Sequence, residues 1–376
     1  MASGVVRLSE ESRWLGGVVA VIVAASSAAF VAGNASGVPV WTVHAAYAAF
    51  TLKFAPGALL VMALAMTIRA MACGVREPIA ACSSFLARRL GSVDAAAGTL
   101  GPILLTPVLM GAFGTFKQTI PLVAPFSWDD TFAEIGRLMF LGHRPWELTH
   151  ALLGGPRATM IISEIYGAWV PLLFVSVLGF ALLAPRYLRA RFFVAFCAAW
   201  LLLGVVAACL LSSAGPCYAP LIGASAGRDF APLIARLRAI DAAGYPLSAV
   251  RMQDILWDAY AHHRYGFAMG ISAMPSMHNS ISFLYALSAR RTPLPARVAV
   301  YLFAAVILVG SVHLGWHYLA DGLFAWAATG AIWWGAGVYL RWCGYVEPAV
   351  ETAAEPGVET RQELVPAEAL QIKRAA

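Results

Sequence analysis

"WLGGVVAVIVAASSAAFVAG", Trp14 to Gly33, runs for 20 residues without a charge. A helix of that length covers about 30 Å, the depth of a bilayer's hydrocarbon core, so the stretch predicts a membrane-spanning helix. Its apolar residues are continuous rather than alternating, which argues against a strand of a membrane β-barrel. The run is too long for the apolar part of an ordinary signal peptide, and no small-residue cleavage pattern stands out. It is therefore expected to stay in the mature protein.

Seven similar runs follow: Ala45 to Ile68 (interrupted by Lys53), Ala97 to Phe116, Ile165 to Ala184, Phe192 to Ser213, Pro275 to Ala289, Val298 to Val312 and Gly322 to Leu340. The chain of 376 residues is 60% hydrophobic and 12% charged, with a mean hydropathy of +0.72, so most of its surface meets lipid. The expected fold is an all-α polytopic membrane protein with about eight transmembrane helices. From Glu347 onward the composition turns to Ala, Glu, Pro and Val with no helical face. Residues 1–346 thus read as one membrane domain and 347–376 as a disordered tail.

Arginine decides orientation. Arg69, Arg76, Arg88 and Arg89 follow the second run, Arg186, Arg189 and Arg191 the fourth, and Arg290, Arg291 and Arg297 the sixth. If these short loops are cytoplasmic, both termini are cytoplasmic, as in a bacterial-type inner membrane. The longer loops 117–164 and 214–274 then lie outside. Both mix aromatic residues with charges, which predicts short interfacial helices that can roof a site; Phe230, Leu233, Ile234 and Leu237 fall at helical spacing in the second. The net charge of +6 fits this arginine bias and a surface facing anionic lipid headgroups, with no nucleic-acid signal. No internal repeat of the inverted-transporter kind is visible. Six cysteines lack CxxC spacing, which argues against a disulfide framework or zinc ribbon.

Ionisable residues at the edge of a span are costly and mark function. His313, His317 and Asp321, spaced by four in "GSVHLGWHYLADGLFAW", are expected to share one helical face with neighbours about 5–6 Å apart. A carboxylate one turn from a histidine fixes the ring's tautomer and frees its other nitrogen as nucleophile or base. His278, in "AMPSMHNSISF", reaches the same membrane face from the preceding span. HxxxH with a nearby aspartate is also a metal-ligand spacing, and a polar cluster of this kind also suits a transporter. His143, His150, His262 and His263 read as ordinary interfacial residues, and Trp128, Trp146 and Trp257 as an interfacial belt.

"PSMH" (Pro275 to His278) followed on the next span by "HYLAD" (His317 to Asp321) resembles the type 2 phosphatidic acid phosphatase superfamily. "GWHYLAD", "AMPSMH", "FKQTIP", "WDD" and "SSAGPCY" look closer to its inositol phosphorylceramide synthase branch. The resemblance implies a six-helix phosphatase-like core that acts on membrane lipid substrates without a cofactor or metal. His317 would be the nucleophile that becomes phosphohistidine, Asp321 its orienting partner, and His278 the acid and base. It implies phosphotransferase or phosphatase activity, which share that half-reaction. The sequence departs from the superfamily in two places: Ser311 stands where an arginine normally precedes the nucleophile by six residues, and no KxxxxxxRP element is visible. The cationic clamp is therefore expected from Lys117 and Arg264, with Arg228 behind them, and Ser276 from the PSMH element completes the phosphate-binding set. Taken by itself, Ser276 reads as an N-cap. A homo-oligomer or an accessory subunit is left open.

Overall fold

Prolines and glycines decide where the apolar runs become separate helices. In the computed structural model, which describes residues 10–346, there is no strand among the described residues. The helices are α1 (Glu10–Ala35), α2 (Val40–Ala72), α3 (Pro78–Leu90), α4 (Val93–Val123), α5 (Asp129–Met139), α6 (Pro145–Leu153), α7 (Pro156–Gly167), α8 (Trp169–Leu183), α9 (Arg186–Ala198), α10 (Ala208–Leu210), α11 (Gly227–Ala242), α12 (Ser248–Ala261), α13 (Met277–Ser288), α14 (Leu294–His313) and α15 (Leu319–Trp342). A π-helical stretch, Ala199–Ala207, joins α9 to α10. The expected tail, 347–376, lies outside the described residues.

Seven of these segments are long and apolar enough to cross a membrane: 11–35, 40–72, 93–123, 156–183, 186–210, 294–313 and 319–342. They match seven of the eight expected runs. The eighth, Pro275 to Ala289, is a helix of only 12 residues, α13, about 18 Å long at the α-helical rise. Pro275 before it and Pro293 after it bound its length, and it carries Asn279, Ser280, Ser282 and Ser288 buried. It packs against α14, α15 and α9, so protein rather than lipid surrounds these groups.

Two boundaries also move. α4 runs six residues past Lys117, which therefore lies inside the span rather than at its end. The fourth span begins at Pro156 rather than Ile165, because Pro156 is a natural first helical residue; α7 and α8 then follow one another across the single step Gly167–Ala168. The two long loops fold as expected into short helices: α5 and α6 in the first, α11 and α12 in the second. Phe230, Leu233 and Leu237 are buried on the inner face of α11.

The chain order and helix contacts bring the C-terminal ends of α4 and α14 and the N-terminal ends of α8, α13 and α15 to one end of the bundle, here the site end. The far end is tied by a buried ion pair. Arg189 Nη2 donates to Glu11 Oε1 at 2.8 Å, and both side chains are almost fully enclosed. Trp14 Nε1 and Tyr345 O–H also donate to the Glu11 carboxylate, each at 2.8 Å, and Arg189 Nη1 reaches Thr99 Oγ1 at 3.2 Å. These four bonds offset part of the cost of holding two charges in a dry interior.

Candidate active site

The helix expected to carry His313, His317 and Asp321 on one face breaks between them. α14 ends at His313, Gly315 adopts φ +70°, and α15 starts only at Leu319. His317 therefore sits in a turn, with its backbone N–H and that of Trp316 both donating to the Ser311 carbonyl, at 3.1 and 2.9 Å. Asp321 is in the first turn of α15, where Oδ2 accepts from the Tyr318 N–H at 3.0 Å. That is a reciprocal cap: an acidic third residue satisfies an orphan N–H at the helix start.

This local geometry still joins the pair. His317 Nδ1 lies 3.3 Å from Asp321 Oδ2, at ion-pair distance but off the hydrogen-bond direction. Asp321 is fully buried, and its Oδ1 has no partner among the described residues. His278, in the first turn of α13, lies with its ring centroid 6.4 Å from that of His317. Its imidazole is held by two aromatic rings: Trp169 at 4.0 Å and Tyr166 at 4.6 Å, the latter within 12° of parallel. Two histidines and an aspartate from three elements thus converge.

Ser276 joins them. Its Oγ caps α13, accepting from the Asn279 backbone N–H at 3.4 Å and from Asn279 Nδ2 at 3.0 Å, and its own N–H donates to the Asp321 carbonyl at 3.4 Å. Asn279 Nδ2 reaches on to Ser311 Oγ at 3.2 Å. Ser311, at the superfamily's arginine position, is thus fully buried and committed to linking α13 with α14. Lys117, on α4, is half-buried and near enough to His278 to act on it electrostatically. Gln118 beside it grips the Gly266 backbone in both directions, and Gly270, at φ +92°, rests on the Lys117 carbonyl. Arg264 is not brought to the histidines: it is exposed and paired with Asp258. Arg228 is exposed at the start of α11.

The loop Ser212 to Tyr218 forms part of the wall, and Asp129 holds it. Asp129 Oδ2 accepts from the Ala214 N–H at 3.0 Å, and Oδ1 from the Gly215 N–H at 2.8 Å and the Tyr318 O–H at 3.0 Å. Burial pushes its carboxyl above the usual range, while these three donors pull it back. Asp130 accepts from the Ala226 N–H at 2.7 Å, anchoring the segment that leads into α11. The "WDD" and "SSAGPCY" stretches are therefore one joint, and Tyr318 connects it to the histidine–aspartate pair. Nothing in the spacing of these stretches announces that joint, because Asp129's partners are mostly backbone groups about 85 residues away.

His150 is not an interfacial residue. It is buried, stacked on His313 with centroids 3.9 Å apart, and its Nε2–H donates to the His313 carbonyl at 2.9 Å. Trp146 packs edge-on against it at 5.9 Å rather than standing in a belt. His313 in turn engages Thr159 Oγ1 through Nε2 at 3.0 Å and Thr149 Oγ1 through Nδ1 at 3.3 Å. Both its nitrogens are occupied by hydroxyls, so it does not offer a lone pair beside His317. No cluster of three or more His, Cys, Asp or Glu with metal-site geometry occurs among the described residues.

The family model of the PAP2 superfamily matches residues 131–335, which include His278, His317 and Asp321. No curated protein and no solved structure matches the chain.

Proposed function

The chain belongs to the PAP2 superfamily, and from that premise we propose that it is an integral membrane phosphotransferase acting on lipid phosphates or phosphodiesters through a phosphohistidine, in the manner of an inositolphosphotransferase. The observation that carries this reading is the His317–Asp321 pair at 3.3 Å with His278 facing it at 6.4 Å. Nδ1 of His317 is turned to the carboxylate, which leaves Nε2 as the attacking atom. In the first step Nε2 bonds to phosphorus, the bond from phosphorus to the leaving oxygen breaks, and protonated His278 gives that oxygen its proton. In the second, His278 takes the proton of an acceptor O–H, the acceptor oxygen bonds to phosphorus, and the P–N bond breaks.

Charge on the equatorial oxygens needs donors in place before reaction. Lys117, which acts electrostatically on His278, and the first N–H groups of α13 are the donors assigned here, with Ser276 capping that helix. Burial favours an alcohol acceptor over water: His317 is 8% exposed, and the helices of the long loops cover this end of the bundle. Purified protein incubated with a panel of phospholipids and alcohols tests this. Headgroup exchange seen by mass spectrometry, and lost in His317→Ala, is the expected result; release of free phosphate alone would replace transfer with hydrolysis.

The arginines of the short loops all belong to the far end, which supports a cytoplasmic far end, cytoplasmic termini and an outward-facing site in a bacterial-type inner membrane. A reporter fused after residue 346 should be active only in its cytoplasmic form; periplasmic activity would reverse the orientation.

A further inference from the structure

The site has fewer cations than its chemistry needs: Arg264 is turned away, and Ser311 occupies the family's arginine position. A different kind of group stands close by. Tyr166, the penultimate residue of α7, is 5% exposed, and its hydroxyl is buried with no hydrogen-bond partner among the described residues. A buried O–H is normally satisfied, so one left open beside a reactive histidine calls for a partner that is not part of the protein.

The position of the ring narrows what that partner is. Tyr166 lies parallel to His278 at 4.6 Å and parallel to Trp316, the residue before the nucleophile, at 6.4 Å and 9°. It is within electrostatic reach of the Asp321 carboxylate and the Cys217 thiol, both on the site side of α7. Gly310, three residues before the end of α14, lies beside the ring: a Cβ added there would stand 3.4 Å from it. The hydroxyl thus lies within reach of Asp321, the partner of His317, while its ring lies on His278.

We propose that Tyr166 is a further catalytic residue of this site, one that donates its phenolic hydrogen bond to an equatorial oxygen of the phosphoryl group as it passes to and from His317. The tyrosine keeps its proton throughout, so the balance of the two steps is unchanged. A neutral donor in a dry site stabilises developing negative charge where a second cation is missing. This rests on the phosphotransfer reading above.

The test is Tyr166→Phe, which preserves the ring stack and removes only the hydroxyl. Wild type, Tyr166→Phe and His317→Ala are compared in detergent for turnover, for inhibition by orthovanadate, and for the rise in melting temperature that vanadate causes. Tyr166→Phe should lower kcat roughly 10²-fold with a much smaller change in KM, the range seen when one oxyanion donor is removed. It should weaken vanadate inhibition about 10-fold or more, and its vanadate-induced melting shift should shrink even if the variant melts lower to begin with. Wild-type kcat and vanadate response in Tyr166→Phe overturn the role of Tyr166 alone, provided His317→Ala has lost both. A wild-type protein with neither turnover nor a vanadate response overturns this role and the phosphotransfer reading together.

Discussion

His150 and His313 lie face to face, with ring centroids 3.9 Å apart and planes 6° from parallel. The contact fixes the carbonyl at the end of α14, four residues before His317, and it has a pH signature. Burial holds His150 below its ordinary value, only partly offset by its bond to the His313 carbonyl, and Arg236 nearby acts in the same direction as burial. The unfolded chain therefore takes up a proton that the folded one resists. Stability should be full above the ordinary histidine value of about 6.5 and should fall as pH drops below it. Melting in detergent between pH 7.5 and 5.5 should show this slope. His150→Gln, which can still donate to the carbonyl, should flatten it; an unchanged slope would place the titrating group elsewhere.

Asp321 caps α15, and the proposed mechanism gives it a second role beside His317; the two can be separated. Asp321→Asn keeps an oxygen for the Tyr318 N–H but loses the charge beside His317. Turnover should fall roughly 10²–10⁴-fold, the range of positioned acid–base effects, with little change in melting temperature. His278→Ala should fall in the same range. An active Asp321→Asn would remove the carboxylate from the mechanism.

Asp129 lies outside the reacting set, yet three donors converge on it. Asp129→Asn turns an amide toward at least one of them. Each charge-assisted bond lost is worth about 1.5–3 kcal/mol. The melting temperature should drop clearly and activity should fall with it; a variant that melts like wild type would show that the joint is not under load.

Gly215 is the other half of that joint, its N–H bonded to Asp129. At φ +99° an alanine is strained, and its Cβ would meet the Trp316 carbonyl oxygen at 2.7 Å. Gly215→Ala should cost about 1–3 kcal/mol and displace Trp316, the residue next to His317. Lowered kcat with a lowered melting temperature is expected, and full activity would mean that the loop yields without moving His317.

Both nitrogens of His313 are held by threonine hydroxyls. Activity should therefore survive EDTA, and His313→Gln should affect stability more than turnover. Loss with EDTA and recovery with zinc would restore the metal reading of the HxxxH spacing.

The long spans were legible because lipid imposes one composition on any helix it surrounds. The same rule misjudged α13, whose neighbours are protein: Asn279, Ser280 and Ser282 were the residues that said so. His278, His317 and Asp321 are legible as a motif, but the single helical face expected for His313, His317 and Asp321 is not what joins the last two. A spacing of four predicts a shared helical face, and Gly315 at positive φ interrupts it. That glycine was the available signal. Tyr166 and Trp169 carry no signal of this kind, since an aromatic residue in an apolar helix reads as core until its neighbour is known to be His278.

The Glu11 carboxylate at the far end has a consequence for how the molecule is made. Glu11 is synthesised near the start of the described chain, Arg189 midway, and Tyr345 almost at its end, and all three meet in one set of bonds. During insertion, Glu11 must wait for its cation until the fifth long span arrives, and for its last donor until the seventh is complete. The far end is thus a closure that only a chain reaching Tyr345 can make, and a nascent chain halted before α9 would hold an acid answered by the Trp14 N–H but by no cation.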